Sequence, residues 1–542
     1  MFGKTRPIPS NQEKGRRRFG ASLSVLAALI GAAFASFLPP AAHAEGRVLV
    51  LSDNDEAAYR AAFDAAARGE WDAAQRALDS VSDQSLKGHV LARAFLSDNA
   101  DPAYSSLVAW LRAYGDEPFA DLIRAKALAK RPSGAEPPPL PAPSGVRRMP
   151  LSGSTPAGDS GDARAALNDA ANRFANGDSA GAASIAQSQL SGPRAGQASW
   201  QLGLIAFKDG DFQRAAASFD AAMAWPNWDA FGAAGARYWA GRAHLAEGDA
   251  RGALTRFRAA LNFPATFYGQ LAEAQLGRDS SLLFQPPSIA PPDALRFMSE
   301  HAEARRAAAL AQVGRLSDVE QELRLLHTRI PASEDRLFLD FADALAAPSA
   351  QLRAAEFGGP AEGWGYCPTM SFAPENGFQM DRAALFAVAR QESRYSPVAV
   401  SSSNARGLMQ LLPSTANGVD PSLGLKAHPE QLDDPGLNMR LGQTYLAQLM
   451  SRAAPDGDLA KLFASYSDGP GLLTRWLAAN PGVSRDPLIL IESLPSVQAR
   501  DYAERVLSNM GLCRKRLGQQ SAEFDELASG KPARYVRLDR NG

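Results

Sequence analysis

The sequence is poor in the residues that build metal, redox and cofactor sites. Its 542 residues include six histidines and two cysteines, and no histidine stands in metal-ligand spacing. Phosphate-cradling and dinucleotide motifs are absent as well. Neither a metal nor a cofactor is therefore expected. An excess charge of one sign is also lacking: 57 basic residues against 58 acidic ones leave −1. Such a chain has no global field to draw it to nucleic acid or to acidic membranes. Beyond residue 44 no apolar run approaches the length that spans a bilayer. With 45% hydrophobic and 21% charged residues, the composition is that of a soluble globular protein of several domains.

The one long apolar run lies at the start. Arg16, Arg17 and Arg18 precede a stretch from about Phe19 to Leu38, and Ala42 and Ala44 then flank His43. A basic segment, an apolar segment and a small-residue cleavage site make a secretory signal peptide. An uncleaved anchor is the alternative, but Pro39 and Pro40 end the run and the cleavage site follows at once. Residues 1–44 are therefore expected to be removed on export, leaving no stable membrane anchor. No cysteine lies nearby, which excludes a lipid-anchored form. In an oxidising compartment Cys367 and Cys513 can pair. Two unrelated buried thiols are the alternative; the disulfide is the expectation.

Residues 45–130 are Ala-rich with helical periodicity. Residues 131–162 carry Pro137, Pro138, Pro139, Pro141 and Pro143, followed by Gly and Ser, the composition of an extended or disordered linker. Helices return over 163–356, and there they repeat. The segment Gly203–Phe219 recurs 38 residues later as Gly241–Phe257. Each copy holds a Gly-Asp pair, Gly210-Asp211 and Gly248-Asp249, with weaker versions at Gly177-Asp178 and Gly69-Glu70. Glycine ends a helix in a left-handed cap, and an acidic residue suits the first turn of the next. The spacing resembles tetratricopeptide-type hairpins, which stack into a curved, sometimes ring-shaped, solenoid. Solenoids bind proteins and peptides, so envelope protein partners are expected through this half. Alone, it would read as a scaffold.

The chemistry is expected in residues 357–518. Over Arg382–Tyr395, Leu385, Val388 and Ala389 mark the apolar face of a helix, and Glu392 falls on the same face. A carboxylate there is costly to desolvate unless it is paired or functional. Ser401, Ser402, Ser403 and Asn404 are good helix caps, so a second helix is expected from about here to Pro413. Its hydroxyl and amide groups would stand opposite the end of the Glu392 helix, as a sugar-binding cleft requires.

At these residues the chain resembles the soluble lytic transglycosylases, bacterial enzymes with a goose-lysozyme-like catalytic domain. Glu392-Ser393, Ser401, Ala405, Gly407-Leu408-Met409-Gln410, Pro413, Thr415 and Ala416 follow the family pattern in order and spacing. Asn438, Gly442, Tyr445, Tyr466, Gly469-Pro470-Gly471, Glu492-Ser493-Leu494-Pro495, Arg500 and Tyr502 continue it. The resemblance implies an all-α chain, a helical solenoid followed by a lysozyme-like domain, acting on peptidoglycan glycan strands in the periplasm. It implies Glu392 as the sole acid and base, cleaving the MurNAc-GlcNAc β-1,4 bond with formation of 1,6-anhydro ends. Ser401, Met409, Gln410, Tyr466 and Tyr502 would orient Glu392 and the sugar. Two departures stand out. Asn404 replaces a glycine, and asparagine tolerates a left-handed backbone. Ser467-Asp468 replaces Asn-Ala.

Two other readings remain. Asp468 could activate water and make the protein a lysozyme-type hydrolase, although Gly469 and Pro470 point to a surface turn that aims Asp468 at solvent. An inactive peptidoglycan-binding scaffold is the third reading. The tail, 519–542, is expected to be disordered despite its cluster of Lys531, Arg534, Arg537 and Arg540.

Overall fold

The computed structural model describes residues 48–97, 100–143, 145, 155–358, 360–368, 370, 372–483 and 486–539. The signal-peptide segment, 1–44, lies outside them. Among the described residues the fold is all-α; the extended pairs are three isolated bridges.

The repeat forms for the reasons its residues give. Gly177, Gly210 and Gly248 adopt φ of 84°, 81° and 97°, a region a β-carbon disfavours. Each following aspartate caps the next helix: Asp178, Asp211 and Asp249 accept from the amides of Gly181, Arg214 and Gly252. The packing repeats with the same 38-residue shift. A β-carbon on Gly203 would stand 2.7 Å from the Phe219 ring, and one on Gly241 2.7 Å from the Phe257 ring. The two helices of each hairpin thus approach through a glycine that the facing ring fills. At Gly69 the turn survives with φ 74°, but the Glu70 carboxylate pairs with Arg68 instead of capping.

The cores cut across the sequence order. Residues 51–90 share one core with residues 294–354. Its polar ties are long-range: the Val50 and Leu51 amides donate to Gln312 Oε1 at 2.8 and 2.9 Å, and Arg306 bridges Glu322 at 2.7 Å. The repeat helices between Asp162 and Leu276 instead share a core with the C-terminal third. There Trp476 donates to the Ala175 carbonyl, Arg242 bridges Asp486 at 2.6 Å, and Gln270 donates to Ser508. The proline-rich segment is extended but held where it is described: Ala142 donates to the Gly115 carbonyl at 2.8 Å.

Two expectations need correction here. The tail is not free. Ala522–Ala528 is a helix, Arg534 bridges to Asp458, and the Tyr535 hydroxyl accepts from the Asp381 amide at 2.8 Å. Leu538 donates to the Asp381 carboxylate, and Asp539 pairs with Arg382. Buried Asp381 needs donors, and the tail supplies them. Residues 401–412 are not a helix. Asn404, Gly407 and Gln410 all have positive φ, at 61°, 78° and 44°, and Arg406 bridges both Val400 and Leu411. The helix begins only at Pro413, with proline in its first turn.

Cys367 and Cys513 form a disulfide, with Cα atoms 5.0 Å apart. It ties the loop before the Glu392 helix to the long helix Val497–Arg516.

Candidate active site

Glu392 sits one residue from the end of the helix Arg382–Ser393. Asp381 caps that helix by accepting from Ala383, and Leu385, Val388 and Ala389 are fully buried. The helix is stopped abruptly by Arg394 and Tyr395, both at positive φ. Of five non-glycine residues with positive φ among those described, Arg394, Tyr395, Asn404 and Gln410 lie in the segment that follows Glu392. Such concentrated backbone strain marks segments whose shape is fixed by function. Asn404 occupies the left-handed region that its replacement of glycine requires.

The Glu392 carboxyl is half-buried. Burial pushes its pKa from 4.5 up to about 7, and a hydrogen bond from Tyr502 pulls the other way. That hydroxyl donates to Oε1 at 2.5 Å. Tyr502 stacks nearly parallel on Tyr466, with centroids 6.2 Å apart and planes at 11°; Tyr445 packs beside Tyr466 at 5.5 Å. The Tyr466 hydroxyl donates to the Met409 carbonyl at 2.7 Å.

The loop 399–411 is built by the remaining expected site residues. Ser401 Oγ accepts from the Ala405 amide at 3.0 Å. Gln410 Nε2 donates to the carbonyls of Ala399 and Gly407. The Met409 side chain is fully buried beneath Gly442, where a β-carbon would meet its sulfur at 2.1 Å. Its backbone bonds to Tyr466 and to Asn438. Tyr502 thus touches Glu392 and Tyr466 backs Tyr502, while Ser401, Met409 and Gln410 hold the loop.

Two residues that the sequence reading named only as pattern matches, Asn438 and Glu492, and one that it placed differently, Asp468, take part in the structure around the site. Buried Asn438 accepts from the Met409 amide at 2.8 Å and donates to the carbonyls of Arg406 and Leu432. A polar side chain inside the helix Pro435–Ala453 was the available signal. Glu492, 7% exposed, takes the Tyr268 hydroxyl and, at 3.3 Å, the Trp239 indole N–H. It joins the repeat helices to the C-terminal third. Asp468 corrects an expectation: it does not point into solvent. It ends the helix Leu459–Asp468 half-buried and accepts from the hydroxyls of Ser467 and Ser496.

Glu392 thus stands half-buried at the end of one helix, backed by stacked tyrosines from two others. Residues 369–489 match the transglycosylase SLT domain family. Over 148 residues the chain is 31% identical to a soluble lytic murein transglycosylase of Salmonella typhimurium, covering 27% of this chain and 22% of that protein. Over 135 residues it is 31% identical to the Escherichia coli protein of the same name, covering 24% and 20%. The chain thus spans about a fifth of the length of the curated relatives it matches. The solved 70 kDa soluble lytic transglycosylase of Escherichia coli superposes with a TM-score of 0.62 at 16% identity, over 89% of this chain and all of that one. This likeness concerns the fold: an all-α superhelix with a lysozyme-like domain. The family match thus covers residues 369–489, and the likeness of the rest of the chain is one of fold.

Proposed function

We propose that this protein is a peptidoglycan lytic transglycosylase with Glu392 as its acid and base. The carrying observation is a single half-buried carboxyl whose pKa is raised to about 7 and whose hydrogen-bond partner is a tyrosine. At neutral pH a large share of Glu392 then holds the proton that a glycosidic oxygen must receive. Hydrolytic glycosidases pair such an acid with a second carboxylate. Here the second role falls to the substrate. Once Glu392 has protonated the bridging oxygen, the bond between C1 of MurNAc and O4 of GlcNAc breaks. Glu392, now ionised, accepts the proton of the MurNAc C6 hydroxyl as that oxygen bonds to C1. The product is a 1,6-anhydro ring; no water is consumed, and the acid is restored. An internal nucleophile has a high effective concentration, which replaces an activated water.

Tyr502 and Tyr466 orient the acid, and Ser401, Met409 and Gln410 shape the loop beside it. The chemistry occupies 357–518, with the tail to 539 as part of that body. Export through residues 1–44 puts the enzyme in the periplasm, where the helical hairpins offer a surface to envelope proteins.

The relatives named soluble lytic murein transglycosylases support this reading. The engagement of Asp468 with two serine hydroxyls speaks against hydrolysis through it. Mass analysis of products from purified sacculi decides between the readings. Anhydro ends are expected; reducing ends would make the protein a hydrolase, and intact sacculi would leave a scaffold.

A further inference from the structure

The two helices that carry the stacked tyrosines pack against each other, and a hydrogen bond at Asp468 joins the end of one to the start of the other. Asp468 is the last residue of the helix Leu459–Asp468, two positions beyond Tyr466. Ser496 is the N-cap of the helix Val497–Arg516, and its Oγ accepts from the Ala499 amide at 2.9 Å. The same hydroxyl donates its proton to Asp468 Oδ2. Ser467 donates to the other oxygen at 2.9 Å. The Ser496 hydroxyl therefore serves at once as cap acceptor and as latch donor.

The charge is well placed for one helix and poorly for the other. A carboxylate is favoured at the N-terminus of the Tyr502 helix and disfavoured at the C-terminus of its own. It stays because it links the two, and Arg500 lies close enough to feel its charge. Six residues along from Ser496 is Tyr502, which donates to Glu392 and stacks on Tyr466. The latch thus closes a ring of contacts running Asp468, Ser496, Tyr502, Tyr466 and back to Asp468. Ser467 and Asp468 are also one of the two places where the chain departs from the pattern it resembles.

We infer that Asp468 is a positioning residue for the proposed acid: through Ser496 it sets the height of the Tyr502 helix, and so the reach of the Tyr502 hydroxyl to Glu392. The inference rests on the role proposed for Glu392. The titratable groups facing Glu392 are Tyr502 and Tyr466, and burial keeps both hydroxyls un-ionised. Loosening the latch therefore acts on Glu392 by lengthening one hydrogen bond. That bond lowers the carboxyl's pKa, so its weakening raises the pKa and moves the alkaline limb of the cleavage profile upward.

The test is a cycle on the full chain. Asp468→Ala should lower kcat three- to tenfold with KM unchanged and move the alkaline limb up by a few tenths of a pH unit. Ser496→Ala should do the same. Asp468→Asn, which keeps an acceptor, should restore most of both. In a Tyr502→Phe background, Asp468→Ala should have no further effect on kcat or the limb, because the hydroxyl it positions is gone. A merely structural role would lower Tm in both backgrounds and leave the limb in place; that result, or additive losses of kcat, overturns the inference. The titration of Glu392 itself is read without turnover, from 13C-glutamate spectra of wild type and Asp468→Ala, with Glu392→Gln assigning the signal. If wild type yields no anhydro products yet the Glu392 titration shifts up in Asp468→Ala, the proposed function fails and the latch stands. If anhydro products form and neither the titration nor kcat moves, the latch fails alone.

Discussion

The helix Val497–Arg516 has a carboxyl site on each of two faces, and the two sites are chemically alike. Glu392 takes a hydrogen bond from Tyr502; Glu492 takes one from Tyr268. Burial raises both pKa values to about 7. They differ in what surrounds them. Glu392 is half-buried, with one tyrosine as its partner. Glu492 is 7% exposed, is held also by Trp239, and feels the charge of Arg500. A raised pKa therefore does not by itself mark a catalytic acid. The two carboxyls differ in exposure and in number of partners, while in both the hydrogen bonds fall on Oε1 alone. Glu492 joins the repeat helices to the C-terminal third.

The sharpest way to break this comparison is to remove each proton in turn. Glu392→Gln should reduce glycan cleavage by about 10²- to 10⁴-fold, the range for loss of a general acid, while Glu492→Gln should stay within a fewfold of wild type. Muropeptide release from sacculi measures both. Equal losses would mean that Glu492 takes part in the chemistry, and near wild-type release by Glu392→Gln would remove the acid assignment.

The disulfide holds the helix that serves both sites. A crosslink over 146 residues constrains the unfolded chain by at most about 5 kcal/mol. Cys367→Ser with Cys513→Ser should lower unfolding free energy by roughly 2–5 kcal/mol, read from denaturant titration. Two free thiols in exported protein, detected by mass spectrometry of unreduced peptides, would deny the bridge. Glu492→Ala should cost less, about 1–3 kcal/mol, because it strands the Tyr268 hydroxyl proton in a buried seam, while the Trp239 N–H keeps the Tyr268 oxygen as acceptor. The matching Glu392→Ala should cost less still, since Tyr502 can turn to water there.

What the sequence made legible was local. The Gly-Asp turns could be read because positive φ and a side-chain cap each demand particular residues at fixed offsets. Glu392 could be read from its helical face and the spaced motif around it. The loop 399–411 misled because Ser and Asn cap helices and also build turns; the left-handed Asn404 and Gln410 decided between the two, and neither is glycine. The pairing of Leu51 with Gln312, 261 positions apart, leaves no local trace, so the exchange of partners between the cores was invisible. The docked tail depends on the second oxygen of buried Asp381, which takes the Leu538 and Asp539 amides; burial reveals this and composition does not. Asp468 looked like a turn residue because its partner, Ser496, lies 28 positions away.

The smallest expected effect sharpens the comparison most, because the two sites should agree in it. In the folded chain Glu392 titrates near 7, against about 4.5 when unfolded. The folded state therefore binds the proton more tightly, and wild type loses stability as pH rises from about 4.5 through 7. Glutamine cannot ionise and escapes that loss. Glu392→Gln should match wild type near pH 4.5 and exceed it above pH 7, by about 1–3 kcal/mol for a shift of this size. Thermal melts at pH 4.5, 6 and 8 give the curve. Glu492→Gln should move in the same direction, since burial raises its carboxyl as well, but over a pH range that it shares with the buried Glu504. The two variants would then be alike in the direction of their stability change and unlike in cleavage. A flat difference for Glu392→Gln would mean that its carboxyl is not raised, and the proposed proton donor at neutral pH would be lost with it.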